Sequence, residues 1–167
     1  MAYTIMNYAG APAISNHDTS AKVPLGTCVK GVDPTYGEGE FIYLLGVGST
    51  EVGSIVLYNA TTYQTALITV GNGKNKGLLV AVAMAATVAS EYGWYQIGGN
   101  AVIKKTSVAV TPQVPIFISA TSGRIKVLAS AGQQILGAQT ANLTTIVTTT
   151  STVVVTISRP HTQGQIT

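Results

Sequence analysis

Residues Asn142–Ser158 are almost wholly Thr, Val, Ile and Ser. These side chains are stiff at χ1 and favour extended backbone. A run of this kind is satisfied only inside a sheet, because left bare it invites edge-to-edge aggregation. Leu143–Val147 and Val153–Ser158 are expected to pair as a hairpin across Thr148–Ser151. Val153, Val155 and Ile157 then share one face, and that face is expected to be covered, inside a barrel or at a subunit interface. Arg159-Pro160 ends the run abruptly, as a gatekeeper does.

The rest of the chain has the same texture: short apolar runs cut by turn signals. Leu25–Val32 is followed by a turn beginning at Asp33-Pro34. Glu40–Val47, Ser54–Tyr58, Thr65–Val70 and Lys76–Val82 read as strands, with Gly71-Asn72-Gly73 as a tight turn between the last two. Gly93–Ile97 and Ala101–Lys104 flank Gly98-Gly99-Asn100, a hairpin signal. Within Gly93–Ile97, alternation points Trp94 inward. Val108–Ser119 contains Pro112 and Pro115 and so reads as edge pieces. Arg124–Leu128 and Gln134–Gln139 complete the set. Ala83–Ser90 alone has helix-forming composition and reads as one or two helical turns. About ten short strands with almost no helix predict an all-β fold, a small barrel or sandwich.

Three regions follow. Residues 1–24 have no strong period and contain Pro12 and Pro24, so they predict an extended N-terminal arm. Its apolar residues Tyr3, Ile5 and Tyr8 lack a local strand context and are the candidate partner-binding residues. Residues 25–160 form the β domain, and 161–167 a polar tail.

Charged residues are only 9% of the chain, against about 25% in ordinary soluble domains. Thr, Ser, Asn, Gln and Gly must therefore cover much of the surface, and such a surface is inexpensive to desolvate against a neighbour. The net charge of +3 rests on nine thinly spread basic residues. Lys104–Lys105 is the only adjacent pair, and it reads as solvated edge. That pattern predicts no nucleic-acid partner, which would need a dense basic stripe with stacking aromatics. The single cysteine, Cys28, is expected to pack as a small hydrophobe and requires no oxidising compartment. The longest apolar run, Leu78–Ala89, is too short for a membrane helix, and no signal-peptide pattern opens the chain.

No motif carries chemistry. The six acids, Asp18, Asp33, Glu38, Glu40, Glu51 and Glu91, mostly adjoin Gly or Pro in turns where carboxylates are solvated. Glu38 and Glu40 lie two apart and could at most begin a weak cation site. His17 and His161 belong to no triad. The glycine clusters match neither the dinucleotide nor the phosphate-loop pattern. Asn59-Ala-Thr61 and Asn142-Leu-Thr144 fit the glycosylation pattern only as chance allows in a Thr-rich chain. A non-enzyme is expected, with no catalytic, cofactor-binding or metal-ligating residues and no cofactor.

Leu25–Pro160 resembles the capsid cement (decoration) proteins of tailed bacteriophages. The likeness lies in the strand pair of Gly39–Asn59 (GEFIYLLGVGSTEVGSIVLYN) and in Gly93-Trp94-Tyr95-Gln96-Ile97-Gly98-Gly99 leading into Asn100-Ala101-Val102. It continues through the strand Ile135–Ala138 and the close on Ile157-Ser158-Arg159-Pro160. The chain differs from that pattern in a longer arm and in the Thr-rich Leu143–Thr152. The resemblance implies a virion protein, made in the host cytoplasm, that binds the outside of the head and bridges major capsid subunits. It implies self-association as a homotrimer, or else a dimer, and no membrane. The alternatives are another virion or cell-surface β-module (fibre, tail or adhesin domain) and, more distantly, a small β-barrel enzyme.

Overall fold

The computed structural model describes residues 1–165. It is nearly all β, with 44% of residues in strands and 2% in helix. The strands are β1 (Thr4–Ile5), β2 (His17–Asp18), β3 (Cys28–Asp33), β4 (Gly37–Leu45), β5 (Ile55–Tyr58), β6 (Thr65–Leu67), β7 (Val80–Ala83), β8 (Tyr92–Lys104), β9 (Pro115–Ile118), β10 (Ile125–Lys126), β11 (Gln134–Thr140) and β12 (Thr152–Thr162). They form one antiparallel sheet whose main path is β1-β3-β4-β8-β12-β11-β9-β10. The sheet does not close into a barrel. The all-β expectation holds, with twelve strands among the described residues in place of about ten.

β8 is the axis of the fold. One of its edges carries β4, from Leu45↔Tyr92 to Gly39↔Gly99. Its other edge is taken in turn by β2 at Tyr92–Gly93, by β7 at Tyr95 and Gln96, and by β12 from Gly98 to Lys104. This change of partner coincides with a bulge: Glu40 faces Gly98 and Phe41 faces Gln96, leaving Ile97 extra. Gly98-Gly99-Asn100 therefore bends one strand and does not close a hairpin. The two features look alike in sequence because both call for a glycine at positive φ. Gly99 has φ +89°, and a Cβ there would lie 2.3 Å from the Glu38 carbonyl oxygen.

Both faces of the β4–β8 pair are covered, and this explains their apolar runs. On one face Ile42, Leu44, Tyr95 and Ile97 pack with Val56, Ala81 and Ala83. On the other, Phe41, Tyr43 and Trp94 pack with Tyr3, Ile14, Val23 and Val29. Trp94 points inward as alternation predicts, and Tyr95 is equally buried on the opposite side. A third and larger cluster lies between β5–β7 and the β8–β12–β11–β9–β10 portion of the sheet. It includes Ile55, Val82, Ile103, Ile116, Val153, Val155 and Ile157. The shared face of Val153, Val155 and Ile157 is thus interior.

The N-terminal segment is not a free arm. β1 pairs with β3 and β2 with β8, and the segment forms the lid of the Trp94 cluster. Trp94 Nε1 donates to Pro12 O (3.0 Å), and Tyr3 OH donates to Asn100 O (2.9 Å). Asp33, expected in a solvated turn, is buried and accepts from the backbone N–H groups of Ala2, Thr35 and Tyr36. Burial alone would raise its pKa; these backbone donors outweigh it and hold the carboxyl below its ordinary value.

Four local expectations are corrected. Ala83 ends β7, and the rest of residues 83–90 is non-helical. Among the described residues the only helix is a single turn, Val70–Gly73, where the tight turn was expected; Thr69 caps it through Asn72 N. Residues 143–147 form no strand: β12 pairs with β8 and β11, and residues 143–151 are a loop. His161 and Thr162 belong to β12, with Thr162 fully buried, so the polar tail starts later than expected. Ile166 and Thr167 of that tail lie outside the described residues.

Candidate interaction surface

The bulge and the lid leave one broad face open, formed by the outer sides of β8, β12 and β11. Thr156 and Ser158 are exposed on β12, and Gly137 and Gln139 on β11. Asn100, Val102 and Val154 are half-buried beside them. Thr156 Oγ1 donates to Asn100 Oδ1 (2.7 Å), tying two strands across this surface. All these side chains are neutral; Lys104, on the same side at the end of β8, is half-buried and paired with Glu51.

The β11–β12 ladder breaks at this face. Gly137 alone stands opposite Ser158, Arg159 and Pro160, since Leu136 faces His161 and Ala138 faces Ile157. Gly137 has φ +70°, and a Cβ there would meet the Ser158 carbonyl oxygen at 2.6 Å. Arg159 (φ 43°) and Gln113 (φ 56°) also adopt the left-handed region. Such backbone is held only where its surroundings over-determine it. The break opens a shallow groove of about 650 Å³, lined by Gln113, Gln139, Asn142, Leu143, Thr156 and Ser158 among others. Among the described residues no charged side chain lines it. Leu143 is 95% exposed.

The loop bearing Leu143 is stapled, not loose. Asn142 Nδ2 donates to Val110 O (3.1 Å) and Thr144 O (2.8 Å). Two carbonyl acceptors fix the amide orientation, because a flipped oxygen would face both of them. Ile146 and Val110 exchange backbone hydrogen bonds at 2.9 Å. Lys105, expected to be solvated, is 1% exposed. Its Nζ donates to Val108 O (2.8 Å) and Val147 O (3.1 Å), with a longer contact to Thr106 O (3.4 Å). Burial pushes its ammonium below the ordinary lysine value. Removing the ammonium leaves the Val108 and Val147 carbonyls without this donor, a loss of about 1–3 kcal/mol where they stay out of water. Lys105→Met should therefore lower the melting temperature by a few degrees and speed amide exchange across residues 143–151. Unchanged exchange there would show that the ammonium does not hold the loop.

Charges beside this face pair among themselves, next to Ser158. Lys30 Nζ lies 2.7 Å from Glu38 Oε1, and Arg159 Nη2 lies 3.2 Å from Glu40 Oε2. Glu38 and Glu40 thus take cationic side chains as partners. Lys104 pairs with Glu51, and His17 Nδ1 lies 3.1 Å from Glu91 Oε2. Among the described residues no three His, Cys, Asp or Glu side chains converge on a metal-sized site. Cys28 is exposed, not packed: its β3 position faces outward from the sheet, beside Lys30 and Val32. Asn142 is buried, so of the two glycosylation-type sequences only Asn59 lies at the surface.

The three partner-binding candidates separate. Tyr3 is 7% exposed and stacks edge-on to Phe41 with ring centroids 4.8 Å apart, so its apolar area is spent inside the chain. Ile5 is half-buried against the same cluster. Tyr8 is exposed, as is Met6 nearby. Sequence reasoning missed Leu143 and the groove, because a Thr-rich run gives no sign of whether it is strand or loop. No family model matches the chain, and a search of curated proteins finds no match.

Proposed function

We propose that this chain is a structural decoration (cement) protein that binds the outer surface of a phage head and stabilises contacts between major capsid subunits. The observation that carries this reading is the sparsely charged face of β8, β12 and β11, on a sheet whose other side is covered. A surface of this kind binds through area: a stable interface buries about 1,200–2,000 Å², and here few charges need to be desolvated. Self-association at a local symmetry axis would add avidity, because each later contact is intramolecular. No catalytic step and no cofactor is assigned. The test is saturable binding to heads of the encoding phage from which the protein has been stripped. Recovered resistance of those heads to heat is the expected result. Heads that take up none of the protein would refute the proposal, and binding to tails or cells instead would favour the fibre or adhesin alternative.

A further inference from the structure

We infer that a docking site outside the β8–β12–β11 face binds an acidic polypeptide segment, which inserts one large apolar side chain beside Lys74 and Lys76. This site does not depend on the head-binding proposal. A recess of about 280 Å³ opens between β5, β6 and Leu78, with Leu57, Ala66 and Leu78 as its apolar walls and Gln64 and Asn72 among its polar ones. Small-molecule pockets run from about 300 to 1,000 Å³, so this smaller recess suits a single side chain. Lys74 stands two residues from Asn72, and Lys76 two residues from Leu78. Both lysines are exposed, so an apolar recess and two cations share one border.

Charge selects the occupant. All six acids of the chain are engaged elsewhere: four in ion pairs, Asp33 by backbone donors and Asp18 by the Tyr43 hydroxyl. Among the described residues Lys74 and Lys76 pair with no carboxylate. Lys126 adds a third cation: its Nζ donates to Ser130 Oγ (2.8 Å), in the turn whose Gly132 carbonyl accepts from Asn75 N–H (2.9 Å). A foreign segment with carboxylates around one apolar anchor answers both the lysines and the recess. Among the described residues a second copy has no unengaged carboxylate to offer. Nucleic acid calls for aromatic stacking platforms, and the one aromatic lining the recess, Tyr58, is half-buried. The lysine loop is already held. Lys74 N–H donates to Val70 O (3.2 Å), Gly77 N–H to Gln163 O (3.3 Å) and Leu78 N–H to Thr162 Oγ1 (2.9 Å). Little order is therefore lost on binding.

The probe is a fluorescein-labelled nonapeptide of glutamates around a central phenylalanine, titrated with the full chain at about 50 mM salt, where screening is weak. Three changes are compared: alanine in place of the phenylalanine, the double variant Lys74→Glu with Lys76→Glu, and Ala66→Gln, which puts a larger neutral side chain in the recess. The substituted residues are all exposed, so the variants should melt like the wild type. The expected result is saturable binding that each change weakens at least about tenfold, the scale of one apolar anchor or of two ionic contacts. Raising salt to about 0.5 M should weaken the wild type too. Amide resonances of Ala66 and Leu78 should shift with the peptide, and those of Thr156 and Ser158 should not. No saturation at about 1 mM protein, equal binding of the alanine peptide, wild-type affinity in Ala66→Gln, or shifts centred on Thr156 and Ser158 would each overturn the inference. So would a single-stranded oligonucleotide of equal charge that binds more tightly than the peptide, which would give the lysines to nucleic acid.

Discussion

Val155→Asp is expected to leave the chain largely unfolded at room temperature. Val155 is fully buried in the largest core cluster, between Val153 and Ile157 on the inner side of β12. It faces Ala101 on β8 and Thr140 on β11, so no edge of the strand offers water. An unpaired carboxylate in such a place costs several kcal/mol even after its pKa rises to keep it neutral. Whole-domain stabilities are only about 5–15 kcal/mol. Thr149→Asp, in the exposed loop of the same Thr-rich run, is the control and should change stability by no more than about 0.5 kcal/mol. Circular dichroism and thermal melts decide it. A folded Val155→Asp protein with wild-type melting would mean that β12 is misregistered by one residue.

Deleting residues 1–20 should damage folding before it affects any partner. The deletion removes Tyr3 and Ile14 from the Trp94 cluster and uncovers Phe41, Tyr43 and Trp94. Burial of each lost large side chain is worth about 1.5–3 kcal/mol. The edge-on contact between Tyr3 and Phe41 adds about 0.5–1.5 kcal/mol. Asp33 would also lose the Ala2 N–H that helps satisfy its buried carboxylate. A loss near 5 kcal/mol lowers the melting temperature by roughly 10–20 °C for a chain of this size. Trp94 fluorescence should shift to the red as its indole meets water. An unchanged melting temperature would return the segment to the role of an independent arm.

The change from arm to lid shows what the sequence can disclose. The alternation of Val153, Val155 and Ile157 is a signal every half-buried strand gives, and it located the inner face of β12. The two-sided burial of β8 was half legible: Trp94 and Tyr95 had to diverge, but nothing local says that both directions are interior. The lid was illegible because Tyr3, Ile14 and Val23 pack singly onto a face built by distant strands, leaving no period. Lys105 was illegible because an adjacent lysine pair looks solvated wherever it occurs; only the carbonyls of Val108 and Val147 make its burial possible. The loop at residues 143–151 has the composition of β12 itself. β propensity measures the fit to a pleated neighbour, and here β8 and β11 already occupy both edges of β12, so the preceding residues turn outward.

Docking on a head through a sparsely charged face is tested most directly by the dissociation constant for stripped heads, taken from about 50 mM to about 1 M salt. Exposed charges are screened over about 10 Å at 0.1 M and about 3 Å at 1 M, so charge-driven binding would weaken steeply across that range. The expected result is tight binding that changes by less than about threefold, because the groove and the loop beside it contain no charge to screen. Binding that collapses at high salt, or no binding at any salt, would contradict it.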